Sequence, residues 1–102
     1  MTMHEEHREN SPMVRHVCVL DDMGLHARPA ARLAKEAQRF QSDIRLAAGG
    51  QEVDAKSILD ILTLSAAGGS ALELRAHGSD APQALDHLES LFRNHFEAQD
   101  GG

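Results

Sequence analysis

Near the start of the chain, hydrophobic and polar positions alternate with a period of two. Over 13–20 (MVRHVCVL), Val17 and Val19 fall on one side and His16 and Cys18 on the other, which predicts a strand with His16 facing solvent. The period then lengthens. Over 27–40 (ARPAARLAKEAQRF), Ala30, Leu33, Ala34, Ala37 and Phe40 recur at three- and four-residue steps, the signature of one helix face. Pro29 falls in the first turn of that helix, where a missing N–H leaves no bond unmade. Over 42–54, Ile44 and Leu46 alternate with Arg45 and Ala47. Gly49-Gly50 then supply a tight turn, and Val53 continues the buried face, so a hairpin is expected. A short apolar helix is predicted over 57–66, with Ser57 as its N-cap and Gly68-Gly69 as its stop. Alternation returns over 70–76, with Leu72, Leu74 and Ala76 on one face. A last helix over 80–97, capped by Ser79 or Asp80, lines its inner side with Ala84, Leu85, Leu88, Leu91, Phe92 and Phe96.

The expected order is βαββαβα. Four strands and three helices of these lengths make a two-layer α+β domain, a four-stranded antiparallel sheet with all three helices on one face. The domain is expected to span 13–97. The polar residues 1–12 read as a disordered tail and 98–102 as a flexible C-terminus. His4 and His7 fall in that tail and are read as solvated, because nothing there orders them as ligands.

Composition narrows the function. At 102 residues the chain makes one core and has little room for a deep multi-substrate site. Aromatic content of 3%, with no Trp or Tyr, argues against base stacking, and a net charge of −6 argues against binding a phosphate backbone, so no nucleic-acid partner is expected. Cys18 is the sole cysteine and is read as a sheet residue, with no intrachain disulfide and no cysteine metal cluster. The start lacks an apolar secretory core and no apolar run approaches a membrane span, so a cytoplasmic protein is expected. His77, His87 and His95 are too scattered for a metal site and are read as surface residues. Neither metal nor cofactor is called for.

The chemistry concentrates at Gly24-Leu25-His26-Ala27-Arg28-Pro29-Ala30. His26 stands at or just before the start of the first helix, where free backbone N–H groups and the positive end of the dipole face outward. Arg28 adds a fixed positive charge able to pair with a phosphate through two N–H bonds. Imidazole near neutral pH offers one nitrogen free to attack. Nucleophile, anion cradle and countercharge thus fall within a few residues. On a helical projection Arg28, Arg32, Lys35 and Arg39 also fall in one arc opposite the apolar stripe. In a chain of net negative charge this line reads as a docking surface for an acidic partner.

The segment GLHARPA resembles the active-site motif of HPr, the histidine phosphocarrier family of the bacterial phosphoenolpyruvate-dependent sugar phosphotransferase system. The resemblance runs without a gap from about Met13 to Phe96. It takes in the Gly49-Gly50 hairpin, Lys56-Ser57-Ile58, the Gly68-Gly69 turn and the final helix. It implies an open-faced β-sandwich, a histidine at His26 phosphorylated on Nδ1 by charged enzyme I, an arginine at Arg28 that stabilises the phosphate, and passage of the group to IIA-type domains. It implies a monomeric carrier rather than an enzyme. Ser57 matches the serine modified by HPr kinase/phosphorylase. It is a helix cap, a regulatory site, or both, and a phosphate there would add about −1.5 to −2 charge beside a docking patch of Ile58 and Leu59. Two departures stand out: Gln38 and Asp60 occupy positions where the family often has lysine. The segment LFRNHFEAQD also resembles the nitrogen-type branch, so a regulatory module of that kind is the alternative.

Overall fold

The structure is a computed structural model that describes residues 12–96. The tail (apart from Pro12), His4, His7 and the C-terminal stretch lie outside the described residues. Among those described, the chain forms β1 (Met13–Cys18), α1 (Ala27–Ala37), β2 (Asp43–Ala48), β3 (Gln51–Asp54), α2 (Ile58–Thr63), β4 (Ala71–His77) and α3 (Ala81–Arg93). The strands make one antiparallel sheet in the order β1-β4-β2-β3, as the βαββαβα reading requires.

Register follows from burial. Val17 lies opposite Leu72, Ile44 opposite Ala76, and Leu46 between Leu74 and Val53, so the apolar residue of each strand meets an apolar partner on the same face. A slip of one residue would turn this set to solvent. Gly49 and Gly50, at φ 55° and 85°, make the two-residue turn joining β2 to β3 with both central residues in the left-handed region. Helices α1 and α3 pack together over the buried face, and α2 packs on α1 and β3. Ala30, Ala34 and Ala37 let α1 approach closely around Leu33, while α3 contributes Leu85, Leu88, Leu91 and Phe92. Each fully buried leucine here stabilises the fold by roughly 1.5–3 kcal/mol.

The helix ends differ from the sequence reading in informative ways. α1 stops at Ala37 rather than running to 40, and Arg39 and Phe40 donate to the carbonyls of Glu36 and Ala37, a tightened last turn. α3 stops at Arg93. His95 and Phe96 take positive φ of 56° and 60°, Phe96 N–H reaches back to Leu91 O at 2.8 Å, and the Phe96 ring meets Phe92 edge-on at 4.8 Å. Phe96 therefore packs from beyond the helix, not from its inner side. Asp80 begins α3 but does not cap it with its side chain. Its carboxylate instead accepts from the N–H groups of Gln41 and Ser42, both at 2.9 Å, and from the buried Ser42 hydroxyl. These bonds, led by the Ser42 hydroxyl, hold Asp80 below its ordinary pKa and tie the start of α3 to the entry of β2.

Candidate functional site

Two loops build the ground beneath His26. Past β1, Val19 N–H donates to Ser70 O at 2.9 Å and Gly69 N–H to Val19 O at 2.7 Å, so residues leaving β1 are zipped to those entering β4. Leu25, nearly fully buried, donates its N–H to Ala66 O at 2.9 Å. Gly24 sits at φ +75° with its α-carbon so close to Ala66 that any β-carbon would collide with that carbonyl. Gly68 is equally constrained, since a β-carbon there would meet the carbonyl oxygens of Asp21 and Asp22 at 2.6 and 2.8 Å. Gly68-Gly69 therefore do not end the second helix. That helix ends earlier, at Thr63, and Ser65 makes the turn at φ 51°. Gly68, with Gly24, instead lets the two loops touch.

This platform delivers His26 to the start of α1. His26 is the N-cap residue, extended at φ −87° and ψ −166°, and its carbonyl accepts the first helical bond from Ala30. Its side chain does not cap the helix, and the first turn holds no acid. Pro29 has no N–H to satisfy, and Arg28 stands exposed in the same turn. His26 Nε2 lies 3.7 Å from Asp21 Oδ2, with both side chains a little over one-third exposed. Among the described residues Nδ1 has no hydrogen-bond partner. An open depression of about 440 Å³ gathers Asp21, His26, Arg28, Pro29, Arg32, His95 and Phe96. The sequence reading joined His26 to Arg28 but missed Asp21 and the two residues arriving from α3. The Asp-x-x-Gly spacing of a turn was the available signal for Asp21. His95 and Phe96 are long-range contacts that no local pattern announces.

The basic line looks different once folded. Arg28 and Lys35 are exposed, but Arg32 is half-buried and lies 3.5 Å from Glu36, and Arg39, beyond the helix end, pairs with Glu36 at 2.9 Å. The Glu36 carboxylate is only one-tenth exposed and is also bonded by His87 Nε2 at 2.7 Å. Burial pushes Glu36 up, but the bonds from His87 and Arg39 outweigh it and leave its pKa lowered. His87 is thus a partly buried link between α3 and α1, tilted against Phe40, rather than a simple surface residue. His77 and His95 are exposed, as are His16 and Cys18. Gln38 has a structural role: its amide donates to Lys56 O at 2.8 Å, and Lys56 Nζ returns a bond to Phe40 O at 2.8 Å. At α2, Ser57 is the N-cap, its hydroxyl accepting from Asp60 N–H at 3.2 Å. Ile58 and Leu59 are exposed, Leu59 to 75%. No helix of the described residues is long and apolar enough to cross a membrane.

The structure thus sets an imidazole and an arginine at an uncapped helix start on an open-faced α+β sandwich. Residues 13–94 match the family model of the PTS HPr component phosphorylation site, and the chain belongs to the HPr family of phosphocarriers. Its relatives include phosphocarrier protein HPr of Treponema pallidum, 44% identical over 87 residues covering 85% of this chain and 99% of that one. HPr of Buchnera aphidicola is 46% identical over 68 residues, 67% of this chain and 80% of that one. Among solved structures, HPr of Thermoanaerobacter tengcongensis superposes with a TM-score of 0.81 at 32% identity, covering 85% of this chain and 98% of that one. Crh of Bacillus subtilis, described as a dimer with a swapped domain, gives 0.65 at 38% identity over 78% of this chain and 90% of that one. The chain is accordingly a phosphocarrier component of the phosphotransferase system, not an enzyme with turnover of its own.

Proposed function

We propose that His26 accepts a phosphoryl group from phosphoenolpyruvate-charged enzyme I and passes it to IIA-type domains, in sugar uptake or its regulation. One observation carries this reading: His26 stands at the open N-terminus of α1 with its side chain unspent on capping and Arg28 in the same turn. The Nδ1 lone pair forms the N–P bond while the donor's bond to phosphorus breaks and its electron pair returns to the donor. The helix start and Arg28 hold the phosphoryl oxygens. Arg28 and Lys35, with Arg32 and Arg39 restrained by Glu36, make the cationic part of the docking face, and exposed Ile58 and Leu59 its apolar part. Ser57 is a regulatory site for an HPr kinase/phosphorylase, where a phosphate would change the charge next to that apolar part. The working unit in this reading is a cytoplasmic monomer.

The nitrogen-type reading has less support, since the named relatives are described as HPr without that qualification. The relay is tested by mixing the phosphorylated chain with a purified IIA-type domain of the host. Transfer of label to that domain, lost when the docking face is altered by Lys35→Glu with Leu59→Asp, is expected. Persistent label on the chain with an active IIA domain would contradict the relay.

A further inference from the structure

We propose that Asp21 is a positioning residue for phosphoryl transfer: its carboxylate keeps the proton of His26 on Nε2 and so leaves Nδ1 free to attack. The inference rests on the reading of His26 as acceptor.

The geometry starts in the turn after β1. Asp21 Oδ1 accepts from Met23 N–H at 3.0 Å and its carbonyl accepts from Gly24 N–H at 3.0 Å, so Asp21 both builds the turn and is held by it. Gly24, pinned over the Ala66 carbonyl, keeps that turn in place. With one carboxylate oxygen committed to the backbone, the other stands 3.7 Å from Nε2 of His26. That is an ion-pair distance, and a small rotation of the imidazole, which no capping bond restrains, closes it to a hydrogen bond.

A carboxylate only accepts, so the ring nitrogen facing it carries the proton. A neutral imidazole has one N–H, and fixing it on Nε2 leaves the Nδ1 lone pair bare. When Nδ1 bonds to phosphorus, the ring keeps its Nε2 proton and gains a positive charge. Asp21 faces that charge, which is absent before transfer and disappears when the group is passed on. The interaction is therefore stronger during transfer than before it, the same service an aspartate gives the histidine of a serine-hydrolase triad. The labour within the depression divides: Arg28, Arg32 and His95 are cationic or can become so and suit the phosphoryl oxygens, while Asp21 is its one acid and addresses the other ring nitrogen.

The test uses the full chain and two variants. In Asp21→Asn the side-chain oxygen still accepts from Met23 N–H, but an amide N–H now faces His26 and favours a proton on Nδ1. Asp22→Asn removes the same charge from the exposed neighbour. Nitrogen-15 shifts of His26 in the unphosphorylated protein, at a pH where the ring is neutral, read the ratio of the two tautomers. Asp21→Asn is expected to lower the Nε2–H to Nδ1–H ratio roughly three- to tenfold, the worth of one hydrogen bond. Phosphorylation by charged enzyme I should slow by at least that factor, with Asp22→Asn changing neither. An unchanged ratio in Asp21→Asn overturns the proposal, and so does an unchanged rate despite a shifted ratio. Failure of the unaltered chain to be phosphorylated would overturn the acceptor reading and Asp21's part in transfer with it, while the tautomer ratio decides the pairing separately.

Discussion

The N-termini of α1 and α2 begin with a residue in extended conformation and are finished in opposite ways. At α2, Ser57 turns its hydroxyl onto the Asp60 N–H, and Asp60 itself sets a negative charge in the first turn. At α1, His26 makes no such bond, the first turn holds no acid, and Arg28 stands exposed within it. The first is a closed helix end, stabilised by its own side chain at about 1 kcal/mol. The second forgoes that stabilisation and leaves its donors and the positive end of its dipole open. Both positions are candidate phosphorylation sites, and the contrast separates their roles. On the proposed reading, a phosphoryl group on His26 would meet open helix donors and Arg28. One on Ser57 would add its charge close to that of Asp60 and would have to rearrange the cap.

Three substitutions probe this contrast. The largest effect is expected from Arg28→Ala. Removing a charged partner of the phosphoryl group should slow phosphorylation by roughly ten- to a hundredfold, the equivalent of about 1.5–3 kcal/mol. Thermal stability should stay within about 0.5 kcal/mol, because the exposed side chain is not part of the fold. Stopped mixing with charged enzyme I and a melting curve read the two quantities. Next comes Gly24→Ala, which forces a side chain into the left-handed region and against the Ala66 carbonyl. It should cost about 1–3 kcal/mol in denaturant unfolding and misplace His26 at the same time. The smallest effect belongs to Ser57→Ala, a loss of about 1 kcal/mol with the rate of His26 phosphorylation unchanged. Equal rate losses from Ser57→Ala and Arg28→Ala would erase the distinction between the two helix ends.

Much of this molecule was legible in the sequence, because period-two and period-3.6 patterns are local. Val17, Ile44, Leu46, Leu72 and Leu74 announced the buried sheet face, and Leu33, Leu85 and Leu88 the helices that cover it. The motif around His26 placed histidine and arginine together. What stayed hidden depends on distant partners. Asp80 looked like a cap, but Ser42, far away in sequence, claims its carboxylate. Gly68-Gly69 looked like a helix stop, yet the small size of Gly68 serves the backbone of Asp21 and Asp22, and Gly69 turns the chain at φ 85°. Arg39 lay in a helical arc that the helix does not reach. His87 looked like a surface histidine until Glu36 appeared beside it. Phe96 looked like the inner face of a helix that has already ended.

The central claim is that His26 carries the phosphoryl group, and intact mass after incubation with phosphoenolpyruvate and the host's enzyme I tests it most directly. The account predicts a gain of one phosphate that is labile to acid, stable to base and absent from His26→Ala, with that variant still folded. No gain with an active enzyme I, or a gain that survives in His26→Ala, would contradict it.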